Sequence, residues 1–187
     1  MQNGSLLSRL WMRHQRILPH LRRATLISFI IPLILLDAFT YITLRDDVSA
    51  IIIGEIFQTL SFLPYVYTKD RRVGVAIFSS ALLIIFYVAG SRLVWAWILT
   101  YVIVADLTAA RKSKLALIQL SAFLLAQLIA GIPLLPVTFW TMFWGILSAS
   151  FGVLIRNTKD RLEEMQREAE RSKEIAAELI QQLRRDI

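Results

Sequence analysis

Apolar residues in this chain gather into six long runs parted by short charged clusters: Ala24–Leu44, Val48–Thr68, Val73–Gly90, Leu93–Ala110, Leu115–Leu135 and Phe139–Ile155. Each holds roughly 17–21 residues, enough at about 1.5 Å per residue to cross a hydrocarbon core of about 30 Å. Only Ser91 and Arg92 divide the third run from the fourth. A single helix of 38 residues there would overshoot a bilayer, so two spans are expected. Pro133 and Pro136 mark the turn between the fifth and sixth. The pattern predicts an all-α polytopic membrane protein with six transmembrane helices over 24–155. A basic segment (1–23) precedes them, and a cytoplasmic coiled-coil helix (156–187) follows.

Beyond Ile155 the period changes. Leu162, Met165, Ala169, Ser172, Ala176, Leu179 and Leu183 recur at alternating spacings of three and four, the a and d seam of a coiled coil. Its middle is small and polar, at Ala169, Ser172 and Ala176, so a dimer made there is held weakly. The seam predicts a homodimer through this helix, against the alternative of a lone, solvated charged helix. Glu163 and Arg167 add an i,i+4 pair of a few tenths of a kcal/mol. The helix extends roughly 45–50 Å into the cytoplasm.

Charge fixes the orientation. Arg9, Arg13, Arg16, Arg22 and Arg23 precede the first run. Lys69, Arg71 and Arg72 follow the second, and Arg111, Lys112 and Lys114 follow the fourth. The alternate loops hold Arg45 and Arg92, so eleven basic residues face two. The positive-inside rule then places both termini in the cytoplasm, which requires an even number of spans; the absence of cysteine fits a bacterial inner membrane. In the first segment Leu7, Leu10, Trp11, Ile17, Leu18 and Leu21 fall at helical spacing, with arginines between them. That is the pattern of an amphipathic helix lying on anionic lipid.

Composition excludes most chemistry. The 187 residues are 56% hydrophobic, with 21 Lys+Arg against 14 Asp+Glu and no cysteine, so disulfides, thiol catalysis and cysteine metal sites are out. The 7 glycines are scattered, all but Gly4 through the runs, and form no phosphate loop, and neither HExxH nor GxSxG occurs. His14 and His20 do not share a helical face and have no flanking carboxylate. No catalytic, cofactor-binding or metal-binding residue is expected, and no nucleic-acid partner.

The informative polar residues lie within the runs. Asp37 and Glu55 each sit seven residues from the outer end of adjacent antiparallel spans, about 10 Å deep. Carboxylates in hydrocarbon cost several kcal/mol unless protonated, paired or hydrated. Two at one depth either share a proton in a small polar cavity that Gln58 can reach, or stand apart as neutral packing groups. Asp106, near a cytoplasmic end, is expected to reach toward Arg111 or Lys112, and Gln127 to bond between helices. In the last run Gly145, Ser148, Ala149 and Gly152 form two interleaved small-xxx-small pairs that permit close helix approach. That face is expected to join the coiled coil directly. Loops of a few residues leave no extracellular ligand domain, so a stimulus must be read within the bilayer.

A multi-span region followed by a charged helix ending LRRDI resembles the sensor half of a bacterial two-component histidine kinase. In one subfamily such a helix runs into a phosphoacceptor motif, commonly IARE-hydrophobic-HD, of which Arg184, Arg185, Asp186 and Ile187 would be the lead-in. The resemblance implies a signal-input module lacking the phosphoacceptor and ATP-binding domains, with membrane lipid, a second copy and a kinase core or response regulator as partners. Alone, it should phosphorylate nothing. Two other classes stay open: a small six-span transporter or channel, although the halves show no repeat, and a membrane scaffold that recruits a partner by its coiled coil.

Reporter fusions after Asp47, Arg72, Arg92, Lys114 and Ile187 should read out, in, out, in and in, with the 133–138 turn also out. A periplasmic signal at Ile187 would overturn the six-span topology.

Overall fold

The computed structural model describes residues 20–28, 30–31, 35, 48–89 and 96–186. Among these every regular element is a helix: α1 (20–28), α2 (Val48–Tyr67), α3 (Arg71–Ala89), α4 (Ala96–Ala109), α5 (Ser113–Ile129) and α6 (Leu134–Asp186). The amphipathic segment expected before His20, with His14, lies outside the described residues. So does most of the first run beyond Ile31.

The connections follow from local chemistry. The Asp70 carboxylate accepts the Arg72 N–H at 2.9 Å and starts α3. The α2–α3 hairpin is tight because Gly74 lies against Tyr65, where an added Cβ would come within 2.6 Å of the Tyr65 Cα. Both α4 and α5 end in Schellman turns. In the first, Lys112 N–H bonds the Leu107 carbonyl and Arg111 N–H bonds that of Thr108. In the second, Ile132 bonds Gln127 and Gly131 bonds Leu128. Gly131 supplies the left-handed residue in the latter at φ 79°, but in the former it is Arg111, at φ 61°.

Helix α4 is the hub. Its Leu99, Ile103, Val104 and Leu107 are each 1% exposed or less, and it packs on both α5 and α6. The core continues through Phe62, Phe78, Phe86 and Phe123. Phe62 meets Phe78 and Phe86 meets Phe123 edge-on at 6.0 Å. The α2–α3 and α4–α5 connections share one end of the bundle, because Tyr65, Arg71 and Asp106 meet there.

The outward faces are apolar too. Ile53, Phe57 and Leu60 on α2, Ile84 and Tyr87 on α3, Leu117 and Leu125 on α5, and Phe139, Ile146 and Phe151 on α6 are all exposed. Helices apolar on both packed and free faces suit a lipid environment and not water. Two of them, 71–88 in α3 and the apolar part of α6, are long and apolar enough to cross a membrane, which supports membrane association. The apolar stretches of α4 and α5 are shorter. Helix α5 stops at Ile129 because Gly131 turns the chain, short of the expected Leu135, and α6 already begins at Leu134 with Pro136 inside its first turn. The third and fourth runs form separate helices, since Arg71 at the start of α3 stands 3.7 Å from Asp106 near the end of α4; the expected divide at Ser91 and Arg92 lies outside the described residues.

From Leu134, α6 runs 53 residues without a break, so the sixth apolar run and the charged tail are one rod. Gly152 lets it close on α4: an added Cβ would collide with the Ala105 carbonyl oxygen and stand 2.9 Å from Thr108 Cβ. Gly152→Val should therefore lower the thermal unfolding temperature in detergent, by an overpacking penalty of about 1–3 kcal/mol. Arg111→Gly should leave it unchanged or raised. Glycine removes a left-handed strain of about 1 kcal/mol, and the Asp160 ion pair it sacrifices is solvent-exposed and worth about 0–1 kcal/mol.

Candidate functional site

The densest polar cluster described centres on Asp106, one turn before the end of α4. Arg22 of α1 grips it with both arms of its guanidinium: Nε donates to Oδ1 at 3.0 Å and Nη2 to Oδ2 at 2.7 Å. The Tyr65 hydroxyl donates to Oδ2 at 2.5 Å, and Arg71 Nε stands 3.7 Å from the same oxygen. The three charged side chains are only 15–26% exposed. The Arg22 guanidinium also lies over the Tyr65 ring, 5.6 Å from its centroid. Burial alone would lower the Arg22 pKa; its hydrogen bonds and charge attraction to Asp106 outweigh this and hold it above the ordinary value.

Four helices thus meet on one carboxylate. Two guanidiniums against one acid leave the cluster net positive at the end of the bundle where the basic connections lie. It offers no nucleophile and no general base, and no group of three metal-ligating side chains occurs among the described residues. What the arrangement can do is mechanical: it ties the point where α1 joins the bundle to the end of the hub helix.

This corrects the expectation for Asp106, which reaches neither Arg111 nor Lys112. Arg111 instead crosses to α6 and bonds Asp160 at 2.9 Å. The C-terminal end of α4 is therefore joined on one side to α1 and on the other to α6. In the tail Glu163 pairs with Lys159 at 3.8 Å.

A second set of polar contacts links helices deeper in the bundle. Ser79 of α3 donates to Gln119 Oε1 of α5 at 2.9 Å. Gln127 Nε2 of α5 donates to Thr141 of α6 at 3.1 Å, the interhelical bond its position called for. Gln58, Gln119 and Gln127 are at most 1% exposed. Each keeps one amide atom without a partner among the described residues.

Asp37 lies outside the described residues, as does the side chain of Glu55, so of that expected trio only buried Gln58 is placed. Gly145 and Gly152 face the bundle, against Leu120 of α5 and Ala105 of α4, with Ser148 and Ala149 half-buried beside them. The seam residues Leu162, Met165, Ala169, Ser172, Ala176, Leu179 and Leu183 are all exposed. They leave α6 on the side away from those small residues, which corrects the expectation that one face continues into the other. The chain matches no family model, and no curated protein or solved structure is detectably similar to it.

Asp106→Asn and Arg22→Gln should each lower stability by roughly 2–4 kcal/mol, since either change strands a largely buried charge. The double variant should lose less than the two combined, with a coupling energy of about 1–3 kcal/mol. Thermal unfolding of the four proteins in one detergent closes the cycle; strict additivity would mean that the contact carries no energy.

Proposed function

We propose that this chain is the membrane-embedded signal-input module of a bacterial two-component sensor kinase: six spans, both termini cytoplasmic, working as a dimer through the tail. The observation that carries this reading is α6. One helix begins in the apolar bundle and continues unbroken as a polar helix with an exposed heptad seam, and a transporter or channel has no evident use for such an extension.

The contacts suggest a route for the signal. A stimulus that changes lipid packing or thickness shifts the basic segment on the inner leaflet, and the shift reaches α4 through Arg22 and Asp106. From α4 it passes to α6 through the Gly152 contact and the Arg111–Asp160 pair. The heptad seam then delivers it as a rotation or register change, provided the two packings differ in free energy by only a few kcal/mol.

The test joins the full chain to a histidine-kinase core in nanodiscs and follows autophosphorylation as the lipid acyl chains are lengthened. Output should change several-fold with thickness, and Asp106→Asn should flatten the response while the dimer persists. A response flat in the parent fusion, or unaltered by Asp106→Asn, would sink this reading. Proton or cation flux in vesicles reconstituted with the chain alone would favour a transporter instead.

A further inference from the structure

Helix α6 carries a second feature, above the tail. Phe143, Leu147, Phe151, Leu154 and Thr158 recur at spacings of 4, 4, 3 and 4, and join Leu162 and Met165 at 4 and 3. These are two eleven-residue repeats, 143 to 154 and 154 to 165. Their period of about 3.67 residues per turn nearly matches that of a straight helix, so the stripe holds one side of α6 until the heptads take over. Every one of these side chains is exposed. The single polar group on the stripe is already satisfied, because the Thr158 hydroxyl donates to the Leu154 carbonyl at 2.9 Å.

The bundle occupies the other side. Gly145 and Gly152 meet α5 and α4, and Asp160 meets Arg111. At about 100° per residue these positions stand roughly half a turn from the stripe. Two copies can therefore bring their α6 helices together with both bundles outside and none of the described residues between them.

We propose that a second copy of this chain docks along the whole stripe, parallel and in register, so that paired α6 helices form the axis of the dimer inside the membrane as well as below it. The proposal rests on the tail dimer of the preceding reading and extends it into the bilayer. Charge selects the occupant and its direction. With Leu162 at a and Met165 at d, Glu168 falls at g and Lys173 at e. In a parallel, in-register pair each g residue meets the e residue five positions on in its partner. Glu168 then faces Lys173 twice, once on each side. One heptad later Ile175 faces Ile180, both exposed in the single chain, which widens the apolar contact beside small Ala176. An antiparallel pair sets g against g and e against e, and loses both matches.

The chain has no cysteine, so single cysteines report without background. In membranes containing the full chain, oxidative crosslinking at Leu147→Cys, Phe151→Cys and Leu154→Cys should exceed that at Ile146→Cys and Val153→Cys several-fold. Leu179→Cys and Leu183→Cys should also crosslink. Crosslinks in the tail but none on the stripe would overturn the intramembrane axis and leave the tail dimer standing; none anywhere would overturn both. Glu168→Lys should weaken the Leu179→Cys crosslink, and adding Lys173→Glu should restore it. Failure of that rescue would overturn the parallel register.

Discussion

A carboxylate held near the edge of an apolar bundle has to be neutralised, and Asp106 imposes that demand on its surroundings. Coulomb attraction between unit charges about 4 Å apart is worth around 4 kcal/mol at an effective dielectric of 20, but removing both ions from water consumes much of it. The balance is favourable only when the remaining lone pairs are also used. Here they are: the guanidinium of Arg22 supplies two donors, the Tyr65 hydroxyl a third, and Arg71 a second positive charge. Because the partners come from three helices besides α4, satisfying one acid fixes the relative positions of four.

The rest of the packing is consistent with a bundle that cannot rely on the hydrophobic effect between its helices. Where lipid replaces water, association rests on close contact and a few interhelical hydrogen bonds. Gly74 and Gly152 allow backbones to approach to distances that any side chain would prevent. The Ser79–Gln119 and Gln127–Thr141 bonds join α3, α5 and α6 in series. Such bonds average about 0.6 kcal/mol each in membranes, so they specify which helices pair more than they hold them together. The charge cluster is the stronger constraint.

Much of the helical architecture was legible because its signals are local. Apolar runs, the basic residues between them and the heptad spacing are each written within a single segment, and the third and fourth runs belong to two helices, α3 and α4. Helix ends were less legible: α5 stops at Gly131, a turn residue that the apolar run of 115–135 conceals. The Asp106 cluster was missed for a different reason. Its signal was present, since Arg22, Arg71 and Asp106 all sit within a turn of the same end of their runs, but depth matching singled out Asp37 and Glu55 instead. Sequence distance favoured Arg111 as a partner for Asp106, whereas the left-handed turn at Arg111 sends that side chain to α6. Gly145 and Gly152 of α6 face the bundle, whereas the heptad seam faces away from it. Met165 lies 20 residues beyond Gly145, which at about 100° per residue sets it roughly half a turn round the helix, an offset that no single heptad reveals.

The unbroken course of α6 has a mechanical consequence. A helix without proline or glycine beyond Gly152 has no built-in hinge, so its lower part moves as a stiff lever whose fulcrum is the contact with α4. Asp186 lies 26 residues beyond Asp160, an arm of roughly 40 Å. A tilt of about 5° at the fulcrum, small enough to need only slight sliding at Gly152, would carry the far end about 3–4 Å over such an arm, more than half of the roughly 5.4 Å rise of one helical turn. Displacements too small to repack the bundle are thereby magnified to a size that can change how two helices mesh.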